Sequence, residues 1–275
     1  MLAALALAAL VAASAGPQAA HAQQAPAAPT PTTTSATAPR STGAKIWIGH
    51  EREIEEYIKT APIDHIAKVP VGVTHPVHAF FAPGGPVAGI VFKQLPPGRR
   101  EGYFESYKSE IAAYRLDQML GLGMVPPTVE REYQREVGSA QLWVENCKLL
   151  KQVDPNASKD IAAWNRQVYR QRVWDNLTGN IDRNAGNLLV DSEFNLILID
   201  HSRAFANTMQ MPFPMTRIDR EFFEHLKALT EQDVKTQLSG LLFDGPAALF
   251  KRRDYIVKHF EQLIKKEGEA AVLIP

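Results

Sequence analysis

The stretch NLTGNIDRNAGNLLVDSEFNLILIDHSRAF, from Asn176 to Phe205, carries the most informative residue pattern of the chain. It places Asp182 five positions before Asn187, and Asp200 thirteen positions after Asn187. Two short apolar runs, LLV and LILI, lie between Asn187 and Asp200, and polar residues separate them. The pattern predicts a β-hairpin whose two ends bring Asn187 and Asp200 together.

These three side chains are of the kind that phosphoryl transfer requires from a protein. The reaction needs divalent metal against the phosphates, a lysine on the phosphates and a carboxylate that orients the attacking hydroxyl. Mg²⁺ takes few protein ligands, and carboxylate or amide oxygens suit it. Asn187 and Asp200 are therefore candidate ligands for Mg²⁺ or Mn²⁺, and Asp182 is a candidate to orient the hydroxyl. The alternative is that residues 179–187 form a turn held by Asx hydrogen bonds.

The N-terminal half offers the lysine at the end of a predicted strand. Apolar or alternating runs predict five strands, at 63–70, 76–81, 88–95, 127–133 and 140–146. Lys93 lies near the end of the third run, and a helix is predicted after that run, over 101–123.

A glutamate in this helix is the expected partner of Lys93. Glu110 lies three residues after Tyr107 and four before Tyr114, and residues at these spacings share one face of a helix. A carboxylate on that inward face needs a cationic partner. Glu105 competes for the role, but its turn neighbours are polar, so we prefer Glu110.

The chain after residue 147 is predicted to be mostly helical. Apolar residues at helical spacing indicate a helix over 159–179, and further helical blocks follow the hairpin, at 219–229, 231–238 and 248–266.

With these residues in place, the sequence resembles the atypical branch of the protein-kinase-like superfamily. That branch includes phosphatidylinositol 3-/4-kinases, HipA-type kinases and secretory-pathway casein kinases. Those families carry a D-R-H-x-x-N type catalytic loop and end the next hairpin in an Asp. This chain has DRNAGN from Asp182 to Asn187 and IDHS around Asp200. The resemblance covers residues 63–205.

The resemblance implies a bilobal α+β fold. Its N-lobe, at about 62–146, would hold a five-stranded antiparallel sheet plus one helix. Its C-lobe, at about 147–275, would be mostly helical and carry the catalytic-loop hairpin.

The resemblance also implies a role for each matched position. Lys93 would contact phosphates with Glu110 as its ion-pair partner, and Asp182 would act as catalytic base or orient the hydroxyl. Asn187 and Asp200 would bind the metal.

The remaining matched positions would bind ATP. Gly72 and Thr74, in VGVTH, fall where a loop covers the phosphates. Val144, Asn146 and Cys147 fall at the hinge, where backbone groups would hold adenine.

The implied function is an ATP-dependent and Mg²⁺-dependent (or Mn²⁺-dependent) phosphotransferase that acts on Ser or Thr hydroxyls of proteins. Three alternatives stay open: a lipid or small-molecule kinase, a pseudokinase that binds nucleotide as a scaffold, and a nucleotidyl transferase that binds ATP in a flipped orientation. The 30 basic and 30 acidic residues leave no net charge. This balance argues against nucleic acid and anionic membrane as partners, because both reward a basic surface.

The N-terminal residues predict export to the periplasm or outside the cell. Residues 1–22 combine an apolar run with AHA at Ala20 to Ala22, the small-x-small pattern of a signal-peptide cleavage site. Residues 23–43 are rich in Ala, Pro and Thr, which predicts a disordered linker. The folded domain is expected over 44–275.

Overall fold

The computed structural model of the protein describes residues 43–69 and 76–275, which form a mixed α+β fold. The strands are β1 (Ile63–Lys68), β2 (Val77–Phe81), β3 (Gly89–Lys93), β4 (Gly98–Arg100), β5 (Tyr103–Glu105), β6 (Thr128–Tyr133), β7 (Glu136–Leu142), β8 (Cys147–Leu149), β9 (Leu188–Asp191), β10 (Leu196–Leu198), β11 (Ile218–Asp219) and β12 (Leu273–Ile274). The helices are α1 (Glu51–Thr60), α2 (Tyr107–Met119), α3 (Ile161–Thr178), α4 (Arg220–Ala228), α5 (Glu231–Gln237), α6 (Ala247–Glu267) and α7 (Glu269–Val272).

The main sheet has five antiparallel strands in the order β1-β2-β3-β7-β6. This confirms the five-stranded antiparallel sheet that the resemblance implies, and its strands form at or near the apolar runs. A three-stranded sheet, β10-β9-β8, contains the hairpin expected between Asn187 and Asp200. The helices of the C-terminal half also form where the helical spacing predicts them, within a few residues.

The boundaries of the fifth predicted strand are wrong. The run 140–146 was expected to be strand, whereas β7 begins at Glu136 and ends at Leu142. The cause is a tight turn, because Gln134 and Arg135 both have positive φ, 53° and 67°. Two central residues with positive φ connect antiparallel strands directly, so strand pairing starts immediately after the turn.

The start of the predicted helix 101–123 is also wrong. Residues 98–105 form the β4-β5 hairpin, which turns at Glu101 and Gly102, both with positive φ. Helix α2 begins only after Ser106, whose hydroxyl oxygen accepts a hydrogen bond from the Lys108 N–H at 3.0 Å. A serine at this position satisfies a backbone N–H that the first turn leaves free. Glu105 therefore lies on a strand and not on the helix.

A helix packs on each face of the main sheet. Ile54 and Ile58 of α1 are buried in the same apolar cluster as Ala79 and Ile90 of the sheet. Because side chains alternate between the faces of a strand, Lys93 points to the opposite face from Ile90. Helix α2 meets Lys93 on that face.

The β9-β10 hairpin lies between two apolar clusters, which explains its uninterrupted apolar runs. Leu196 and Leu198 are buried among the C-terminal helices, and Ile197 is buried in the cluster of the main sheet. A strand that is covered on both faces has apolar residues at successive positions instead of alternate ones. The hairpin thus carries its two ends to the boundary between the clusters.

Several predicted features fall outside the described residues. These are the signal peptide 1–22, the linker up to residue 42, and Gly72 and Thr74 of the predicted phosphate loop. Within the described part of the chain, no helix combines the length and the apolar character needed to cross a membrane. Helix α6, which is rich in basic residues, packs with its Ile256 and Phe260 side chains buried in the apolar cluster of the C-terminal helices.

Candidate active site

On the face of the main sheet that α2 covers, Lys93 contacts both Glu110 and Asp200. The Lys93 Nζ donates to Glu110 Oε1 in a close ion pair, and it also donates to Asp200 Oδ1 at 2.9 Å. The three residues come from β3, from α2 and from the end of the β9-β10 hairpin. Lys93 and Glu110 are buried, while the Asp200 side chain is 38% exposed. The ammonium group is therefore fixed between two carboxylates, one of which has an open side.

The charges of this cluster stabilise one another. Burial opposes the charge of Lys93, but the carboxylates of Asp200 and Glu110 outweigh that effect and raise its pKa. The ammonium group of Lys93 in turn lowers the pKa of Asp200 to about 2, against the desolvation of the carboxyl group. At neutral pH the site therefore holds a protonated lysine beside an ionised Asp200.

The loop with Asp182 and Asn187 begins where α3 ends. Gly179 follows the helix with φ of 63°, a conformation that ends helices and favours glycine. The chain then turns so that the Asn187 Nδ2 donates to the backbone oxygen of Asp182 at 3.0 Å. The Ile199 N–H donates to the backbone oxygen of Asn187 at 3.2 Å, which joins the loop to the residue before Asp200.

Asn187 and Asp200 have the donor atoms that a divalent cation needs. The amide nitrogen of Asn187 is engaged with Asp182, which leaves its side-chain oxygen as a possible ligand. The Oδ1 atom of Asp200 accepts from Lys93 and Ser202, and its other oxygen accepts no hydrogen bond from any described residue. In the described part of the chain, no three His, Cys, Asp or Glu side chains lie close enough to bind a metal. Two hard oxygen ligands fit Mg²⁺, which keeps several waters.

Asp182 is the most open acidic group of the site, with 42% of its side chain exposed. Its Oδ2 atom accepts a hydrogen bond from Arg203 NH1 at 3.3 Å. Partial desolvation raises the pKa of Asp182, and the charge of Arg203 opposes this shift. The Asp182 carboxylate is thus held by Arg203 and is also open to solvent, so a group from another molecule could form a hydrogen bond with it.

A buried arginine behind the loop was not identified from the sequence. Arg183 forms an ion pair with Asp175 and donates to the backbone oxygens of Asn187 at 2.6 Å and Ile199 at 2.7 Å. The side chains of Arg183 and Asp175 are 2% and 0% exposed. Since its contacts include Asn187 and the residue before Asp200, Arg183 fixes both ends of the hairpin.

His201 connects this arginine to Glu110. Its Nε2 atom lies 2.9 Å from Arg183 NH2 and 3.2 Å from Trp174 Nε1, so it accepts hydrogen bonds. Complete burial, together with the nearby positive charge of Arg183, places the pKa of His201 well below its usual value. The His201 backbone N–H donates to Glu110 Oε2 at 2.8 Å. His201 is therefore a neutral part of the packed interior.

Two of the predicted hinge residues, Val144 and Asn146, lie in the connection from β7 to β8, and the third, Cys147, is the first residue of β8. The Trp143 N–H donates to Gly89 O at 3.0 Å, so this connection leaves the main sheet beside the first residue of β3. Val144 and Cys147 pack partly buried against the apolar cluster of the sheet. Asn146 has φ of 58°. Among the described residues, none forms a hydrogen bond with the backbone of Val144 or Asn146.

The fold of this chain has counterparts among solved structures. A crystal structure of a Golgi casein kinase aligns with a TM-score of 0.59 at 16% identity, covering 82% of this chain and 79% of that chain. The Golgi casein kinase with Mn/ADP bound gives a TM-score of 0.57 at 17% identity, with 82% and 79% covered. Hydra Fam20, solved with sugar, gives 0.62 at 16% identity, with 82% and 92% covered.

Sequence comparison adds nothing to this result, because no family model and no curated protein match the chain. At 16% to 17% identity, the structural likeness establishes the fold. The chain has a protein-kinase-like fold of the kind found in the Golgi casein kinase and Fam20, in agreement with the resemblance drawn from DRNAGN and IDHS.

Proposed function

We propose that this protein transfers the γ-phosphoryl group of ATP to a hydroxyl group, with a Ser or Thr side chain of a protein as the acceptor. The observation that carries the proposal is the position of Lys93 between Glu110 and Asp200. A buried lysine with two carboxylate partners would be costly as a purely structural feature. Phosphoryl transfer would explain the buried lysine, because the reaction requires a lysine that contacts the phosphates next to a metal-binding carboxylate.

In this proposal the nucleotide extends from the hinge to Lys93. Gly89, beside the hinge, and Lys93 are four residues apart on β3, or about 13 Å at about 3.3 Å per residue. Adenine would bind the unpaired backbone groups of Val144 and Asn146, with Cys147 beside it, while Lys93 contacts the phosphates. The loop with Gly72 and Thr74 would cover the phosphates. The Mn/ADP complex of a structurally similar Golgi casein kinase supports nucleotide binding by this fold.

Asn187 and Asp200 would hold Mg²⁺ or Mn²⁺ through one oxygen each. The cation would neutralise charge on the phosphate oxygens. The low pKa of Asp200 keeps its carboxylate ionised and ready to bind a cation throughout the neutral range. Asn187, which Arg183 holds through its backbone oxygen, would add a neutral ligand at a fixed position.

Asp182 would orient the acceptor hydroxyl and accept its proton. Its carboxylate is partly exposed, so an external hydroxyl can reach it. Positioning is the main contribution that a protein makes to this reaction. The choice of a protein acceptor follows the structural similarity to a kinase named for casein. Export, as residues 1–22 predict, would place the reaction in the periplasm or outside the cell.

The proposal is tested with ATP that carries the label at either the α- or the γ-phosphate. The purified full chain is incubated with each ATP and dephosphorylated casein, with Mg²⁺, with Mn²⁺ or with EDTA. We expect γ-label on protein, dependent on the cation, in the wild type, and only slow residual transfer in Asp182→Asn. Asp182→Asn should still bind ATP, as measured by calorimetry, whereas Lys93→Met should bind it weakly.

Each other outcome has a distinct meaning. Transfer of α-label would indicate a nucleotidyl transferase in place of a kinase. ATP binding without transfer of either label would indicate a nucleotide-binding scaffold. Label on an added lipid or small molecule, with none on protein, would keep the phosphotransferase and refute the protein acceptor. Normal transfer by Asp182→Asn would exclude the role given to that residue.

A further inference from the structure

Arg203, three residues after Asp200, is held on three sides. Its Nε atom donates to Glu105 Oε1 at 2.7 Å, and its guanidinium carbon lies 4.4 Å from the centroid of the Tyr103 ring. Its NH1 atom donates to Asp182 Oδ2 at 3.3 Å. Glu105 is buried. A planar guanidinium group held by a carboxylate and a ring has a defined orientation, so its contact with Asp182 is fixed as well.

Asp182 depends on this arginine for its orientation. In the part of the chain that the structure describes, Arg203 is the only hydrogen-bond donor to the carboxylate of Asp182. The other hydrogen bonds of Asp182 use its backbone atoms, which receive from Asn184 and Asn187 and donate to Asn180. Those contacts fix the loop but leave the side chain free to rotate. Arg203 supplies the missing restraint.

The anchor of Arg203 lies at the start of α2. Glu105 directly precedes Ser106, which caps the helix that carries Glu110. Arg203 therefore joins the entrance of α2 to Asp182, and its contacts do not include Lys93 or Asp200. A change at Arg203 would consequently disturb the acceptor side of the site and leave the groups proposed to hold the nucleotide in place.

We propose that Arg203 is a positioning residue that turns the Asp182 carboxylate toward the acceptor hydroxyl, with Glu105 as its anchor. The inference rests on the proposed function. A displacement of about 1 Å in a reacting group can cost about 100-fold in rate. Loss of Arg203 should therefore lower kcat by about 100-fold without changing the KM for ATP.

The test compares Arg203→Met, Arg203→Lys and Glu105→Gln in the full chain, with γ-labelled ATP and dephosphorylated casein. The matched control is Arg115→Lys, because Arg115 also pairs with a glutamate, Glu55 at 3.2 Å, and contacts a tyrosine ring at 5.9 Å. We expect a lower kcat in the three site variants, an unchanged ATP KM, and wild-type rates in the control.

A double variant separates positioning from a general effect on folding. In an Asp182→Asn background, Arg203→Met should cause no additional loss of rate, because residues that act as a unit are not additive. If Arg203 only stabilised the fold, the Arg203→Met substitution would instead lower both the melting temperature and the rate, in the wild-type and in the Asp182→Asn background. An unchanged kcat in Arg203→Met, or an equal loss in Arg115→Lys, would overturn the proposal.

A crystal structure of Arg203→Met provides a measurement that needs no activity. The Asp182 carboxylate should leave its wild-type position or become disordered, while the Lys93 and Glu110 pair stays intact. An unmoved Asp182 would refute the positioning role even if the wild type transfers phosphate. A wild type that transfers no label, with Asp182 displaced in the variant, would refute the proposed function and leave the positioning of Asp182 by Arg203 standing.

Discussion

The ion pair between Arg183 and Asp175 leads to a quantitative prediction about stability. The Nε atom of Arg183 lies 3.1 Å and 3.0 Å from the two carboxylate oxygens of Asp175, and both side chains are almost fully buried. Asp175→Asn keeps the shape of the side chain and removes its charge. The variant then contains a buried guanidinium cation beside a neutral amide group, whose NH₂ cannot accept a hydrogen bond from Arg183.

The expected cost follows from that burial. Removing one partner of a buried ion pair costs about 3 to 5 kcal/mol, because the remaining charge is uncompensated. Arg183 keeps two backbone acceptors, Asn187 and Ile199, so we expect the lower end, about 3 kcal/mol. In a chain of this size about 1 kcal/mol corresponds to roughly 2 to 4 °C in melting temperature. Asp175→Asn should therefore melt about 6 to 12 °C below the wild type.

The assay is urea unfolding followed by circular dichroism, supported by thermal melts. The control is Glu269→Gln, which breaks the exposed pair of Glu269 and Arg220, with N···O of 3.0 Å. An exposed pair contributes about 0 to 1 kcal/mol, so this variant should remain close to the wild type. If Asp175→Asn cost no more than Glu269→Gln, the conclusion that Arg183 is a buried charge in need of its partner would be wrong.

Three further predictions concern the surroundings of the site. Gly138→Ala should lower stability by about 1 to 3 kcal/mol and weaken ATP binding, because a Cβ atom there would lie 2.5 Å from the Lys93 backbone oxygen; Gly98→Ala, with its nearest contact at 3.7 Å, is the calorimetric control. The ionised Asp200 should contribute its full stabilisation above pH 3.8, the pKa of this group in the unfolded chain, and the wild type should lose that stabilisation as the pH falls through about 2, the depressed pKa of Asp200 in the folded chain. Urea titrations at each pH should show a smaller loss of stability for Asp200→Asn. Arg252→Met should lower the melting temperature, because the buried guanidinium donates to the backbone oxygens of residues 177, 206 and 208, which would lose their donor.

The periodic elements could be predicted from the sequence because their cause is local. Strands β9 and β10 appear as apolar runs since both faces are covered, and the inward face of α2 follows from the spacing of Tyr107, Glu110 and Tyr114. The same reasoning predicted a cationic partner for Glu110, and the structure places Lys93 against it. The roles of these residues in catalysis remain predictions, as do those of Asp182, Asn187 and the hinge.

The missed features depend on contacts between distant parts of the chain. Nothing near Glu105 indicates that it is buried, because its partner Arg203 lies 98 residues further along. The β4-β5 hairpin has three-residue strands and no clear apolar alternation, so the helical pattern that follows it was extended too far. Asp175 did offer a signal. It lies within the apolar run VWDNL of a helix, and a buried carboxylate there requires a cation just as Glu110 does.

The position of α2 is determined by hydrogen bonds that the fold itself provides. Three of them join its first turn to residues 201–204: Ser106 N to Ser202 O at 3.0 Å, Ser109 Oγ to Ala204 O at 3.2 Å, and His201 N to Glu110 Oε2 at 2.8 Å. The segment after Asp200 is fixed at its other end, where the Phe205 N–H donates to Thr178 O at 2.6 Å. Because backbone groups make most of these contacts, α2 needs no added charge to hold Glu110 against Lys93. The ion pair of Lys93 and Glu110 is therefore part of the folded chain and needs no added group to form.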